Sequence, residues 1–180
     1  MLLDDAGWDG PRRLVAVSAD ELASACAALG AELAAGTDRT ALLVMGDGSA
    51  RRSLKAPGHL DPRAEPFDAQ VELAVRDGRL GALLKLDEAL ARDLMVTGRP
   101  AWQVLAGAMA NGTGLDGAGL DGAGLDGAGL DGAGLDGADA DGSGRNGDGA
   151  DGALVTEVLY RDDPFGVAYL VAFLQPRSGA

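Results

Sequence analysis

Apolar positions along this chain repeat with two different periods, and the switches between them mark its elements. Residues 14–17 (Leu-Val-Ala-Val) form an unbroken apolar run, which predicts a short buried strand. Ser18 and Glu21 follow at the Ser-x-x-Glu spacing of a capping box, in which side chains satisfy the first free N–H groups of a helix. Leu22, Cys26, Leu29 and Leu33 then recur at helical spacing, the pattern runs to Ala35, and Gly36 supplies the stop. Residues 41–45 (Ala-Leu-Leu-Val-Met) are again continuously apolar and end abruptly at Gly46. Strand, helix and strand in that order predict a parallel unit with a right-handed crossover.

Further along, Phe67, Val71, Ala74 and Val75 give residues 66–76 one apolar helical face, closed by Gly78. Residues 80–86 and 87–96 read as one or two more helices, stopped at Gly98. Pro100 suits the first position of another helix reaching residue 109, with Trp102, Leu105 and Met109 on one side. Residues 154–160 and 166–174 have the β-branched and aromatic content of strands, and Asp162-Asp163-Pro164 between them is a turn, so a hairpin is expected. The whole predicts a single α/β domain over residues 1–180: a parallel-core sheet flanked by helices, with a C-terminal hairpin.

Residues 114–152 interrupt that pattern. Five tandem copies of Gly-Leu-Asp-Gly-Ala run from Gly114 to Ala138 and then decay into Asp, Gly and Ser. The segment holds 15 Gly in 39 residues, too few buried side chains to offset the entropy of ordering them, so a disordered insertion is expected. Two competing readings are a five-residue solenoid, which needs more stacked repeats, and a calcium loop at Asp139-Ala-Asp141-Gly-Ser143-Gly144. The calcium reading has Ala150 where an EF-hand loop carries its bidentate Glu. Because loop closure entropy grows slowly with length, deleting residues 114–152 is expected to leave the melting temperature within a few degrees.

The net charge of −13 is partly the insertion's. An acidic chain has no basic footprint for nucleic acid and no attraction to anionic membranes. Cys26 is the only cysteine, which excludes an internal disulfide. No apolar run reaches transmembrane length, the amino terminus lacks a signal-peptide pattern, and a cytoplasmic location is expected. A homo-oligomer is compatible with an exposed strand edge.

The candidate chemistry lies just past the 41–45 run, where open α/β sheets place their sites. Loop 46–64 carries Asp47, Ser49 and His59 as candidate catalytic groups, and Arg51, Arg52 and Lys55 as candidates for binding an anionic aromatic acid. Each has a plainer alternative: Asp47 as a loop cap, His59 as support for the Pro57-Gly58 turn, the cations as a solvated charged surface.

Four segments carry a resemblance. They are residues 2–8 (Leu-Leu-Asp-Asp-Ala-Gly-Trp), 39–68, 98–107 (Gly-Arg-Pro-Ala-Trp-Gln-Val-Leu-Ala-Gly) and 159–169 (Leu-Tyr-Arg-Asp-Asp-Pro-Phe-Gly-Val-Ala-Tyr). Together they resemble the class III extradiol ring-cleavage dioxygenases, in the superfamily typified by the protocatechuate 4,5-dioxygenase beta chain. The resemblance implies an α/β fold and an Fe(II) ion held by two His and one carboxylate, with O₂-dependent opening of a catechol-type aromatic ring. It also implies an acid/base His after a Gly-Asp-x-Ser segment. Here Gly46-Asp47-Gly48-Ser49 is followed by Ala50, and His59 is the only histidine, so no residue is assigned as a metal ligand. Two readings follow. One is a ring-opening dioxygenase whose metal site needs sequence upstream of Met1; the other is a non-catalytic family member that binds a partner or a small ligand.

Overall fold

The computed structural model describes residues 5–36, 40–112 and 154–177. The 114–152 insertion lies outside them. Among the described residues there are four α-helices and one two-stranded sheet: α1 (Ala23–Ala34), α2 (Ala64–Arg76), α3 (Glu88–Asp93), α4 (Arg99–Gly112), β1 (Leu154–Asp162) and β2 (Tyr169–Pro176). A 3₁₀ turn, Leu80–Lys85, joins α2 to α3.

α1 and α4 form the tightest packing. A Cβ on Gly30 would lie 2.0 Å from the Val104 carbonyl oxygen, and one on Gly107 would lie 2.1 Å from that of Ala27. The two helix backbones therefore touch at glycines. The buried face of α1 carries Cys26 and Gly30, whereas Leu22 is exposed. The start of α1 also departs from expectation. No side chain caps it at Leu22, and the Ser18–Glu21 capping box does not form. Buried Arg99 explains this, because its Nη2 donates to the carbonyls of Ala19 (2.9 Å) and Glu21 (2.8 Å) and holds residues 19–21 outside the helix. The Ala23 N–H instead donates to Glu88 Oε1 at 3.2 Å, so α3 lends the cap.

The core is α2 against the 3₁₀ turn, α3 and α4. Phe67, Leu83 and Leu94 are fully buried in it. Asp87 caps α3 by accepting from the Leu90 N–H at 2.9 Å. Gln103 is buried on α4 with both ends satisfied, accepting from Arg99 Nη1 (2.8 Å) and donating to the Leu83 carbonyl (3.1 Å).

β1 and β2 pair antiparallel, from Leu154 opposite Pro176 to Asp162 opposite Tyr169, with a bulge between Val158 and Tyr160. The hairpin is thus as expected in kind, but β2 starts later, because Gly166 (φ 72°) is still in the turn and its N–H donates to the Asp163 carbonyl. The face bearing Leu154 and Thr156 packs on α2, and the opposite face leaves Val171 and Phe173 about half exposed.

The described residues form a mixed α/β structure whose one sheet is this antiparallel hairpin. Residues 14–17 and 41–45, expected as parallel strands, lie outside it. For the 41–45 run a long-range contact is the reason. The Asp47 carbonyl accepts from the Gly98 N–H at 2.9 Å, and Gly46 packs so closely on Gly98 that a Cβ would sit 2.4 Å from its Cα. The end of the 41–45 run is thereby drawn to the start of α4. Its apolar side chains remain partly open to solvent, and Leu14 in the earlier run is 97% exposed.

Candidate functional site

Loop 46–64 is fixed by backbone bonds. The Gly48 N–H donates to the Ala168 carbonyl, the Ala168 N–H to the Ser49 carbonyl (both 2.9 Å), and the Arg52 N–H to the Gly166 carbonyl (3.0 Å). Residue numbers rise on one side as they fall on the other, so this stretch runs antiparallel to the chain entering β2. Gly48 is required there, since a Cβ would lie 2.8 Å from the Ala168 carbonyl oxygen.

Ser49 is fully buried. Its N–H donates to Asp68 Oδ1 at 2.9 Å and its hydroxyl to Asp68 Oδ2. Arg52 Nε donates to Asp163 Oδ2 at 2.9 Å, and its guanidinium stands 3.9 Å from Asp68 and from Glu65. Its Nη1 is buried without a hydrogen-bond partner. Burial pushes the Asp68 carboxyl above the ordinary carboxylate range, against the opposing pull of the Ser49 hydrogen bonds and Arg52. Elsewhere in the loop, Arg63 bonds Asp61 and holds its carboxyl down to about 2, with Arg51 adding a contact at 3.7 Å.

The structure therefore brings two of the sequence candidates, Ser49 and Arg52, into one network with Asp68, Asp163 and Glu65. Asp47 is exposed beside it. Arg51 turns to Asp61. Lys55 is exposed, and so is His59, whose backbone adopts φ 60°. Ala50 is 9% exposed, with its N–H on the Leu94 carbonyl and its carbonyl on the Gly58 N–H. The sequence alone does not single out Asp68, because an acidic residue in the early turns of a helix has an ordinary reading as a partner of the helix dipole. Its one signal is its position four residues after buried Ala64 and three before buried Val71.

A groove of about 1240 Å³ opens from this network. One wall is residues 40–48 and the other is 168–177; Val71 and Val75 of α2 and Trp102, Leu105 and Met109 of α4 form its apolar floor. None of the described backbone hydrogen bonds joins residues 41–47 to Tyr169–Pro176, so the two stretches line one groove without pairing to each other. One end is polar, with Asp47, Arg52, Asp68 and Asp163; the other carries Arg177.

Fe(II) does not fit these residues. His59 is exposed and lies outside the groove lining, Ala50 offers only a methyl group, and no group of three or more His, Cys, Asp or Glu that could hold a metal ion occurs among the described residues. Burial raises the thiol pKa of Cys26, near Arg99 in the α1–α4 interface, as for an inert packed cysteine. Among the described residues no helix is long and apolar enough to cross a membrane. No family model, curated protein or solved structure matches this chain.

Proposed function

We propose that this chain is a non-catalytic relative of the class III extradiol dioxygenases that works as a binding protein, with the groove as its receptor for an extended polypeptide segment. The observation that carries the reading is the pair of groove walls, residues 40–48 and β2, which share no backbone hydrogen bond among the described residues between 41–47 and Tyr169–Pro176 and have apolar side chains beneath. A strand entering such a gap gains ladder hydrogen bonds from the walls and specificity from alternate side chains. A strand in the gap would lie parallel to one wall and antiparallel to the other, so in this reading the partnered form carries a mixed sheet in place of the parallel core expected from the sequence. Buried Ala50, standing where the related enzymes carry an acid/base histidine, supports binding without ring cleavage. The groove's polar end is acidic, and Arg52 is already engaged by Asp163, so an anionic aromatic acid is the weaker ligand class.

Two measurements test this. Oxygen uptake by the purified chain with Fe(II) and a panel of catechols is expected to stay at the buffer rate. Extended apolar peptides are expected to shift the emission of Trp102 in a Trp8→Phe background. Ring cleavage with stoichiometric iron would overturn the reading, and so would the absence of binding by any peptide.

A further inference from the structure

We propose that the occupant of the groove is the 11–17 segment (Pro-Arg-Arg-Leu-Val-Ala-Val) of a second copy of this chain, exchanged reciprocally to make a dimer. The inference rests on the binding reading above and names its partner.

Three observations converge on it. First, residues 14–17 are an apolar, β-branched run that lies outside any strand, with Leu14 97% exposed. None of the described strands lies between the groove walls, and this segment has the apolar, β-branched character of a strand without pairing in one. Seven extended residues span about 23 Å, and the 40–46 stretch that lines the groove also has seven residues. Second, the charges match. Glu65, Asp68 and Asp163 stand within 3.9 Å of Arg52, and Asp47 and Asp162 also line the groove, where Arg161 is paired with Glu72, so acidic groups outnumber basic ones there. The segment is apolar with Arg12 and Arg13 at its leading end. Laid with those arginines at the acidic end, it runs parallel to β2 and antiparallel to residues 40–47. Third, the chain's own copy is tethered the wrong way round. Arg99 holds the carbonyls of Ala19 and Glu21, and Arg99 follows Gly98, which is bonded to Asp47. The intramolecular segment would enter with Val17 at the acidic end and carry its arginines toward Arg177. A second copy is free of that constraint, and strand exchange between identical protomers closes with two-fold symmetry.

Sedimentation velocity on the full chain tests this, together with the peptide Pro-Arg-Arg-Leu-Val-Ala-Val and its double Arg→Glu counterpart. The expected results are a dimer that weakens with salt, a monomer for Leu14→Asp with an unchanged circular dichroism spectrum, and binding of the peptide to that monomer at least ten-fold more tightly than its Glu counterpart. Leu14 has almost no buried surface to lose, so the variant should fold. A wild-type monomer at high concentration, or a dimer untouched by Leu14→Asp, would overturn the proposal; the latter would point to the exposed hairpin face bearing Val171 and Phe173. Binding of other apolar peptides but not of this one would overturn the second copy as occupant while leaving the receptor reading intact.

Discussion

Ser49 and Asp68 show how a single buried pair sets the shape of the loop. Both Ser49 donors end on one carboxylate that has been taken out of water. Removing the hydroxyl leaves that carboxylate short of a donor, so Ser49→Ala should cost about 1–3 kcal/mol in urea denaturation at neutral pH. The two shifted carboxyls predict opposite pH responses. Asp68 binds its proton more tightly folded than unfolded, so its contribution to stability falls as pH rises from the unfolded value through the raised folded one. Asp61 is the reverse: held down to about 2 in the fold, it contributes stability that is fully present above its unfolded value of 3.8 and is lost as pH falls toward 2. Urea midpoints between about pH 2 and pH 6 separate them. Relative to Asp68→Asn, the wild type should lose stability as pH rises across that range; relative to Asp61→Asn, it should gain. Equal slopes for both variants would contradict the assigned environments. His59 shows the limit of reading residue type alone: a lone imidazole in a polar loop suggests chemistry, and the backbone leaves it in solvent.

At the scale of elements, helix α2 and the hairpin are legible in the sequence because their signals are local. Phe67, Val71, Ala74 and Val75 repeat at the helical period and are all buried, and the Asp163–Gly166 turn separates two runs of strand-forming residues. The start of α1 is not legible. Ser18 and Glu21 have the right spacing, but Arg99, far away in sequence, takes the nearby carbonyls and Glu88 supplies the cap. The expected parallel sheet is not formed among the described residues for a related reason. An unbroken apolar run such as 41–45 reports a preference for burial, and its pairing partner is decided by distant residues, here Gly98. Asp68 and Arg99 escape a reading of the sequence because neither stands in a local pattern of its own. The α1–α4 crossing gives the clearest test at this scale. Gly30→Ala or Gly107→Ala places a methyl against helix backbone that cannot retreat without parting the helices, and each should cost at least about 1–3 kcal/mol. Gly81→Ala, with nothing within 4 Å of the added Cβ, should change stability by no more than about 1 kcal/mol. Similar losses at all three positions would contradict the close crossing.

Across the whole molecule, helices cover one face of the sheet while apolar side chains remain open on the other face and along the groove. Leu14, Met45 and Phe173 are all more than half exposed. Such surface is costly to leave in water, and in the proposed dimer it is the driving force for taking up a strand. In that proposal the acidic end selects the direction in which the strand enters. The most direct measurement is amide hydrogen exchange on the wild type and on Leu14→Asp at the same protein concentration. If the groove holds a strand, residues 12–17, 41–47 and 169–175 should all exchange more slowly in the wild type, while the α1–α4 core exchanges equally in both. Equal exchange in those three segments would contradict the account.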